Sequence, residues 1–249
     1  MRKEQLKGSK TAKNGFANED DIVFKFNNWQ KDKDAQQWLL IMEYVLEEIE
    51  YVKAIKLSGY KTDVQVQITI KLKEAIDVQN IQVKLVSNLN GFNQIDKRWV
   101  DKYIEMWNIP IEIANLLKLY TGETKPNISY PKDNRRMFIN EFTSEEQEDI
   151  LNWLNSNKSL IVSDILKGRG QFSAEWMLVA QKVKENPRWI LRPMNFCLNH
   201  FGNGNIEITK QGNIKIGRIT MQRKGGDNGR ATANMLQFKI NPAELFDDK

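Results

Sequence analysis

Apolar residues of this chain follow a helical period in some segments and a strand period in others. Residues 14–29 (NGFANEDDIVFKFNNW) start with turn residues, continue with acids and then place apolar side chains at helical spacing, which predicts a capped amphipathic helix. A more apolar helix is predicted over 35–49. Extended segments follow at 51–57, 63–72 and 80–87, and strict alternation in the middle one predicts a strand with one buried face.

The second half of the chain has the same mixed character. Helices are predicted over 94–107 and up to Gly122, and a capping box of Thr143 with Glu146 predicts the start of another. Short strands separated by glycine-rich turns are predicted at 205–209, 213–224 and 234–240. The pattern as a whole predicts an α/β (α+β) fold with a mixed or antiparallel central sheet flanked by helices.

The least structured stretch, residues 123–136, contains two prolines and separates the two halves of this pattern. We therefore expect one domain over 1–249 with two lobes, one at 1–125 and one at 126–249. The length of 249 residues is compatible with one large domain.

Composition and charge narrow the class of protein. No window approaches the roughly 18 consecutive apolar residues of a membrane helix, and the basic N-terminus lacks the apolar run of a signal peptide. We therefore expect a cytoplasmic protein without a membrane partner. The formal net charge of +5 has the sign expected for a partner made of phosphates.

Cys197 and His200 are each the only residue of their type. One cysteine and one histidine exclude a disulfide within the chain and a Cys/His zinc cage. A buried thiol and a helix-end histidine explain the pair better than a catalytic dyad does. Any hydrolysis is therefore expected to depend on carboxylates, lysine and a metal ion.

Candidate chemistry lies in two neighbouring extended segments. Gln82 and Lys84 are two residues apart in NIQVKLVSN, so alternation places both on one face of a strand. A hairpin turning near residues 73–74 would bring Asp63, at the start of the preceding strand, roughly opposite Lys84. The alternative is structural, because an aspartate at a strand start is common and Gln-Val-Lys on an edge strand is unremarkable.

These side chains together suit a hard cation and a phosphate. Asp63 would be the carboxylate ligand of Mg²⁺, and the Gln82 amide oxygen and the Val83 backbone carbonyl would be neutral ligands. Lys84 would hold or activate the attacking water and stabilise charge that develops on the phosphate.

The segments SGYKTDVQVQI, NIQVKLVSN and GFNQIDKRW resemble the PD-(D/E)XK nucleases, and specifically the HinP-type type II restriction endonucleases. NRRMFINEF, DILKGRGQFSAEW and QRKGGDNGRATANMLQFK are also similar to family segments, in family order. In that group glutamine can replace the acidic residue before the catalytic lysine. Asp63, Gln82 and Lys84 match the family's catalytic positions, and Thr62 stands where the pattern can have serine.

This resemblance implies a function, with a catalytic core in the lobe at 1–125 and a DNA-recognition part in the lobe at 126–249. It implies a Mg²⁺-dependent enzyme, with Mn²⁺ as a substitute, that cuts double-stranded DNA at a short GC-rich site of the GCGC kind and leaves 5′-phosphates. It also implies a matching DNA methyltransferase in the host. The alternatives are a structure-selective or repair nuclease of the same fold and a non-cleaving sequence-specific DNA-binding protein. A single chain, a homodimer and a partner subunit all stay open.

The same superfamily often adds an acid from its N-terminal helix, which makes Glu19 a further catalytic candidate. The alternative is that Glu19, Asp20 and Asp21 favour the positive end of the helix dipole.

Two loops are candidates for DNA contact beside the catalytic strand. Phe92 lies in a predicted turn flanked by Gln94 and Lys97, and an aromatic at a loop tip can wedge between base steps from the minor groove. The alternative is that Phe92 staples the following helix. In LKGRGQF, Lys167 and Arg169 are expected to contact phosphate, because the glycines let the backbone approach.

The strongest recognition candidate is the glycine-rich turn at 222–230. Its polar side chains include guanine-, adenine- and cytosine-binding types suited to the major groove. They are Gln222, Arg223, Lys224, Asp227, Asn228 and Arg230. A plain soluble hairpin turn is the alternative, and the family resemblance favours recognition.

Overall fold

The computed structural model describes residues 2–57, 66–183, 187–226 and 230–247, with side chains from residue 14 onward. The helices in these ranges are α1 (Arg2–Asn27), α2 (Lys33–Ile41), α3 (Val100–Trp107), α4 (Ile111–Thr121), α5 (Ser144–Leu166) and α6 (Met194–Gly202). The strands are β1 (Ile49–Lys56), β2 (Val66–Leu72), β3 (Ile76–Val86), β4 (Asn93–Arg98), β5 (Trp176–Gln181), β6 (Arg188–Pro193), β7 (Ile206–Ile208), β8 (Ile214–Ile216), β9 (Ile219–Arg223) and β10 (Leu236–Ile240).

The chain forms two compact units, and each is assembled from separated stretches. The first unit contains Arg2–Asn93, Leu166–Cys197 and Asn241–Lys249, and the second contains Gln94–Ile165 and Leu198–Ile240. The units therefore do not divide at residue 125, because the chain leaves the first unit after β3 and returns to it to add β5 and β6. The assignment of catalysis to one lobe and recognition to the other stays a prediction.

The first unit is built on a mixed sheet with the described strands in the order β1-β2-β3-β5-β6. β3 and β5 run parallel, and the other neighbouring pairs are antiparallel. One face of the sheet packs against α1 and α2 through the fully or nearly fully buried side chains of Ile22, Phe26, Trp38 and Leu39. The predicted mixed sheet flanked by helices is confirmed.

The second unit contains another sheet, with the order β4-β10-β9-β8-β7 among the described strands. The strands β7 to β10 pair antiparallel. On one face of this sheet Phe238 of β10 packs edge-on against Tyr103 and Trp107 of α3, whose rings stack with centroids 4.6 Å apart. Aromatic packing of this kind stabilises the core beyond the effect of area alone.

Two local predictions hold, at the end of α4 and at the start of α5. The backbone N–H of Gly122 donates to the Lys118 carbonyl over 3.0 Å, and Gly122 ends α4 in the left-handed conformation with φ 84°. The capping box is present, since the Thr143 backbone N–H donates to the Glu146 carboxylate over 2.8 Å. None of the helices in the described part of the chain is long and apolar enough to cross a membrane.

Three predicted helices have different bounds in the structure. α1 starts at Arg2 and continues through the Asn-Gly pair at 14–15 that was expected to precede it. The helix predicted over 35–49 ends at Ile41, before Glu43 adopts a positive φ of 68°. Residues 94–98 belong to strand β4, so the following helix α3 begins only at Val100.

Candidate active site

The strand that contains Gln82 and Lys84 lies in the middle of the first unit's sheet. β2 and β3 form the predicted hairpin, in which Leu72 N–H donates to the Ala75 carbonyl over 2.8 Å around a turn at residues 73–74. On its other side β3 pairs with β5, with Lys84 in register with Val179. The interpretation of Gln-Val-Lys as part of an exposed edge strand is therefore wrong.

Alternation along β3 places apolar side chains on one face of the strand and polar side chains on the other. Ile81 and Val83 belong to the hydrophobic core that packs against α1 and α2. Gln82 and Lys84 point to the opposite face, and only 1% and 8% of their surfaces are exposed. A buried amide and a buried ammonium on the face of a central strand opposite the core formed with α1 and α2 are not explained by that core.

Gln82 has an unusual hydrogen-bonding state. Its Oε1 and Nε2 atoms are both buried and have no hydrogen-bond partner among the residues that the structure describes. An unpaired buried amide costs free energy comparable to a lost hydrogen bond, which marks Gln82 as a functional candidate. Its free oxygen is the kind of neutral ligand that a hard divalent cation takes, so this residue fits a metal site.

The predicted acidic ligand, Asp63, lies outside the described residues, as does Thr62. The described part of the hairpin, where Val66 pairs with Ile81, has the same register as the predicted hairpin that set Asp63 opposite Lys84. Within the described ranges no group of three or more His, Cys, Asp or Glu side chains is placed to hold a metal ion. Asp63 as a metal ligand therefore stays a prediction.

Glu19 is a buried carboxylate on α1, with 8% of its surface exposed. Its Oε2 atom is 3.2 Å from Lys56 Nζ, and burial raises the pKa of Glu19 although Lys56 opposes the shift. Because α1 begins at Arg2, Glu19 lies more than four turns from the helix N-terminus, and the helix dipole does not explain its position.

Arg192 of β6 adds a cation to the face that contains Gln82. Gln82 is in register with Met177, and Met177 is in register with Arg192, so the three residues form one row across the sheet. Arg192 Nη2 donates to the Leu245 carbonyl over 3.2 Å, and its guanidinium carbon is 4.7 Å from the centre of the Phe196 ring. No motif pointed to Arg192, because its place depends on two strand pairings.

Cys197 is fully buried, and burial raises the pKa of its thiol to about 12. The thiolate needed for nucleophilic catalysis is therefore absent at neutral pH. This agrees with the structural interpretation of the Cys197 and His200 pair.

Phe92 occupies the loop between β3 and β4, and 52% of its surface is exposed. The Gly91 N–H donates to the Asn88 carbonyl over 2.9 Å, which closes the loop just before the aromatic ring. Phe92 does not staple a helix, because the residues that follow it form a strand. An exposed aromatic at a loop tip after the candidate catalytic strand stays consistent with the predicted wedge.

Gln94 and Lys97 lie on β4 in the second unit, and both are exposed. Gln94 Oε1 accepts a hydrogen bond of 2.9 Å from Gln237 of β10, whose own Oε1 is buried without a partner among the described residues. Gln237 is in register with Gln222 of β9. Three glutamines thus form a row over three strands on one face of the second unit's sheet.

The LKGRGQF loop keeps its glycines in conformations that need them. Gly168 and Gly170 have φ angles of 77° and 73°. The Lys167 carbonyl accepts from the Ala174 N–H over 2.7 Å, while the Arg169 side chain is exposed. Phosphate contact by Lys167 and Arg169 stays a prediction.

The recognition turn lies between β9 and β10, and Asp227 and Asn228 fall outside the described residues. Gly225 and Gly226 both have positive φ angles. Lys224 follows β9, and Arg230 is exposed before a short 3-10 helix. The structure thus confirms the hairpin, and the role of its side chains stays a prediction.

Gln222 and Arg223 point to opposite faces of β9. Gln222 belongs to the glutamine row, whereas Arg223 Nε donates to the Thr121 carbonyl over 2.8 Å and its Nη2 donates to Asn234 over 2.7 Å. The predicted base contact of Arg223 therefore depends on the remaining nitrogen, Nη1.

Comparison with known proteins places this site in a family. A sequence model of the R.HinP1I restriction endonuclease family matches residues 42–246, most of the chain. The chain belongs to the R.HinP1I restriction endonuclease family. It is a type II site-specific endonuclease, as the resemblance of its motifs implied.

One solved structure similar to this endonuclease is the crystal structure of restriction endonuclease MspI in complex with its cognate DNA. The TM-score is 0.62, with 12% sequence identity over 90% of this chain and 88% of that one, which shows a shared fold. Comparison with curated protein sequences gave no match.

The family match of this restriction endonuclease covers β3, the Phe92 loop and the β9–β10 turn, but it begins after Glu19. Restriction endonucleases of this kind generally need a divalent metal ion. Sequence reasoning missed Gln237 and Arg192. Arg192 lies outside the family-like segments, Gln237 lies inside one of them without a predicted role, and only strand register brings each beside residues that were predicted.

Proposed function

We propose that this restriction endonuclease hydrolyses phosphodiester bonds of double-stranded DNA at a short GC-rich site of the GCGC kind. It would use Mg²⁺, with Mn²⁺ as a substitute, and leave 5′-phosphate and 3′-hydroxyl ends. The main support is the pair of buried polar side chains, Gln82 and Lys84, on the face of a central strand opposite the core formed with α1 and α2. Membership in the R.HinP1I family supports the choice of site.

Within this proposal the residues of β3 divide the work of phosphate hydrolysis. The Lys84 ammonium orients the attacking water and stabilises negative charge that develops on the scissile phosphate. The amide oxygen of Gln82 and the carbonyl of Val83 hold the metal ion together with Asp63, and Glu19 is a further carboxylate for the site. Mg²⁺ supplies Lewis-acid polarisation of the phosphate when it is bound.

A neutral Gln82 has a consequence for metal binding. Most of the attraction between a hard cation and its ligands comes from carboxylate charge, and Gln82 contributes none. We therefore expect weak metal affinity in the free enzyme, with the DNA phosphate completing the site.

The proposed DNA contacts come from loops at several places in the chain. Phe92 would wedge between base steps, and Lys167 and Arg169 would contact the backbone. Base reading would use residues at the β9–β10 turn together with Gln94 and Lys97 of β4. The residues proposed at the turn are Gln222, Arg223, Lys224, Asp227, Asn228 and Arg230. The DNA in the similar MspI structure supports a duplex substrate.

The proposal includes a functional partner, a host methyltransferase that protects the same site. The enzyme would act as a homodimer, as successive single chains that each nick one strand, or with a partner subunit. Strand-nicking kinetics on a supercoiled plasmid separate these cases, because a dimer linearises the plasmid without accumulating the nicked circle.

The direct test is to incubate the purified protein with unmethylated phage DNA and Mg²⁺ and to sequence the fragment ends. We expect every end to map within one short GC-rich motif, each with a 5′-phosphate. Diffuse ends would instead indicate a structure-selective or repair nuclease. DNA binding without cleavage in Mg²⁺ or Mn²⁺ would contradict the proposed active site.

Two variants tie cleavage to the proposed residues. Asp63→Ala and Lys84→Ala should each abolish the specific fragments while DNA binding persists. Lys73→Ala removes the same charge as Lys84→Ala from the β2–β3 turn, about 26 Å along the strand, and should cut normally. Fragments that survive in Lys84→Ala would show that another centre cuts the DNA.

A further inference from the structure

Three arginines meet at the C-terminal end of α4 in the second unit, and we call Arg135, Arg136 and Arg223 the arginine cluster. Gly122 makes this approach possible, because a Cβ atom there would lie 2.3 Å from the Arg135 carbonyl oxygen and 3.4 Å from Arg136 Cβ. Arg223 reaches the same place from β9 through its 2.8 Å hydrogen bond to the Thr121 carbonyl.

Two members of the arginine cluster are already used inside the protein. Arg135 forms a two-point pair with Asp133, with Nε and Nη2 at 2.9 and 2.8 Å from the two carboxylate oxygens. Arg223 braces Thr121 and Asn234. These contacts fix the positions of both side chains and occupy the one carboxylate that pairs with the cluster among the described residues.

Arg136 is oriented but not neutralised. Its guanidinium carbon is 3.9 Å from the centre of the Phe138 ring and 5.6 Å from that of Tyr120. Its Nη1 atom is buried and has no hydrogen-bond partner in the described part of the chain. The aromatic rings hold the planar group in place, and the unpaired donor calls for an acceptor.

The cluster has an excess of positive charge. Burial lowers the pKa of Arg223, and the charges of Arg136 and Arg135 lower it further, while Asp133 opposes the shift. Like charges held this close repel one another unless an anion joins them. A guanidinium with one unpaired N–H donor favours a phosphate oxygen in particular.

We propose that Arg136 binds a backbone phosphate of the DNA, with Arg223 and Arg135 providing the surrounding positive field. This inference rests on the proposed function, since it needs duplex DNA as the ligand. It adds Arg136 to the expected DNA contacts. Arg223 would help to position the cluster through its hydrogen bond to the end of α4. A phosphate contact anchors the protein in register without reading sequence.

The test measures DNA binding by fluorescence anisotropy in Ca²⁺, without turnover, as a function of salt. Duplexes with and without the mapped site are compared for wild type, Arg136→Ala, Arg136→Lys and the charge-matched control Lys73→Ala. We expect Arg136→Ala to bind both duplexes about tenfold more weakly than wild type does. The slope of log K against log salt should also fall by about 1. Arg136→Lys and Lys73→Ala should keep the wild-type slope.

A second measurement protects the test against misfolding of the alanine variant. Single methylphosphonate linkages, which lack the phosphate charge, are placed in turn along the duplex. A methylphosphonate at one position should weaken DNA binding by wild type and by Arg136→Lys. It should not weaken binding by Arg136→Ala any further, because the side chain that contacts this phosphate is already missing.

The outcomes separate this inference from the proposed function. Wild type that binds no duplex would overturn the proposed function itself. If wild type cuts specifically and Arg136→Ala has the same slope of log K against log salt as wild type, only the phosphate contact is overturned. A loss confined to the duplex with the site would make Arg136 a base-reading residue and would also overturn it.

Discussion

The Arg223 guanidinium donates a 2.8 Å hydrogen bond to the carbonyl of Thr121, the last residue of α4. That carbonyl is among those that a helix leaves unpaired at its C-terminus, so the cation also suits the helix dipole. Asn234 completes the brace, because it accepts from Arg223 and donates to the Gly122 carbonyl over 2.8 Å. The residues before and after the β9–β10 turn are thereby both tied to one helix end.

Neighbouring residues of β9 should therefore respond differently to truncation. Arg223→Ala removes the donor to the Thr121 carbonyl and to Asn234 Oδ1, which should cost about 1–3 kcal/mol of unfolding free energy. Gln222→Ala should leave stability within about 0.5 kcal/mol and change the rate of specific cleavage instead. Thermal unfolding and cleavage of a single-site plasmid measure the two effects. Equal loss of stability in both variants would contradict the opposite-face assignment.

Gln82→Glu should alter metal dependence more than DNA binding. The added carboxylate supplies the charge that the native site lacks, so the Mg²⁺ concentration for half-maximal cleavage should fall severalfold. Affinity for the duplex in the absence of divalent metal should change less. A Mg²⁺ titration of cleavage measures this, with Gln30→Glu at an exposed position as the control. Superimposable curves for wild type and Gln82→Glu would rule out Gln82 as a ligand.

Lys84→Ala should lower the cleavage rate by about 100-fold or more, because it removes the group that orients water and stabilises developing charge. Single-turnover rates at saturating enzyme separate this effect from weaker binding. Lys73→Ala, in the β2–β3 turn, should stay within about twofold of wild type. A Lys84→Ala enzyme with normal single-turnover rates would exclude Lys84 from the chemistry.

Glu19→Gln should make stability less sensitive to pH. Burial raises the pKa of Glu19 above 4.5 in the folded chain, so the folded state retains a proton that the unfolded chain releases. Stability attributable to this group is therefore lost as pH rises through that window. The variant should match wild type near pH 4 and unfold at a higher temperature than wild type at pH 7. Glu47→Gln, at an exposed position, should show no such divergence; a variant less stable at pH 7 would contradict the sign.

Much of the first unit could be predicted from the chain because its signals are local. Strict alternation in β2 and the polar residues at 73–74 determine the hairpin and its register, and so place Gln82 and Lys84 on one face. The spacing could not show that β3 is central. That depends on β5, whose pairing with β3 joins residues more than ninety positions apart.

The errors have physical causes as well. Ile95 and Trp99 are four residues apart, which is the spacing of one helix face, but Ile95 belongs to strand β4, which is hydrogen-bonded to β10. The Asn-Gly pair at 14–15 favours a turn locally, yet α1 continues through it. Arg136 and Gln237 lie in segments that resemble the family but had no predicted role, because their surroundings come from segments distant in sequence.

The parallel pairing of β3 with β5 bears on how the enzyme is made. A ribosome has completed β3 long before it synthesises residues 176–181, so the nascent chain cannot yet enclose Gln82 and Lys84 between two neighbouring strands. Long-range pairing of this kind is slow to form, since the intervening loop must close first. The centre proposed at Gln82 and Lys84 can thus be complete only after most of the polypeptide has been translated. This built-in delay separates the synthesis of the chain from its ability to damage DNA.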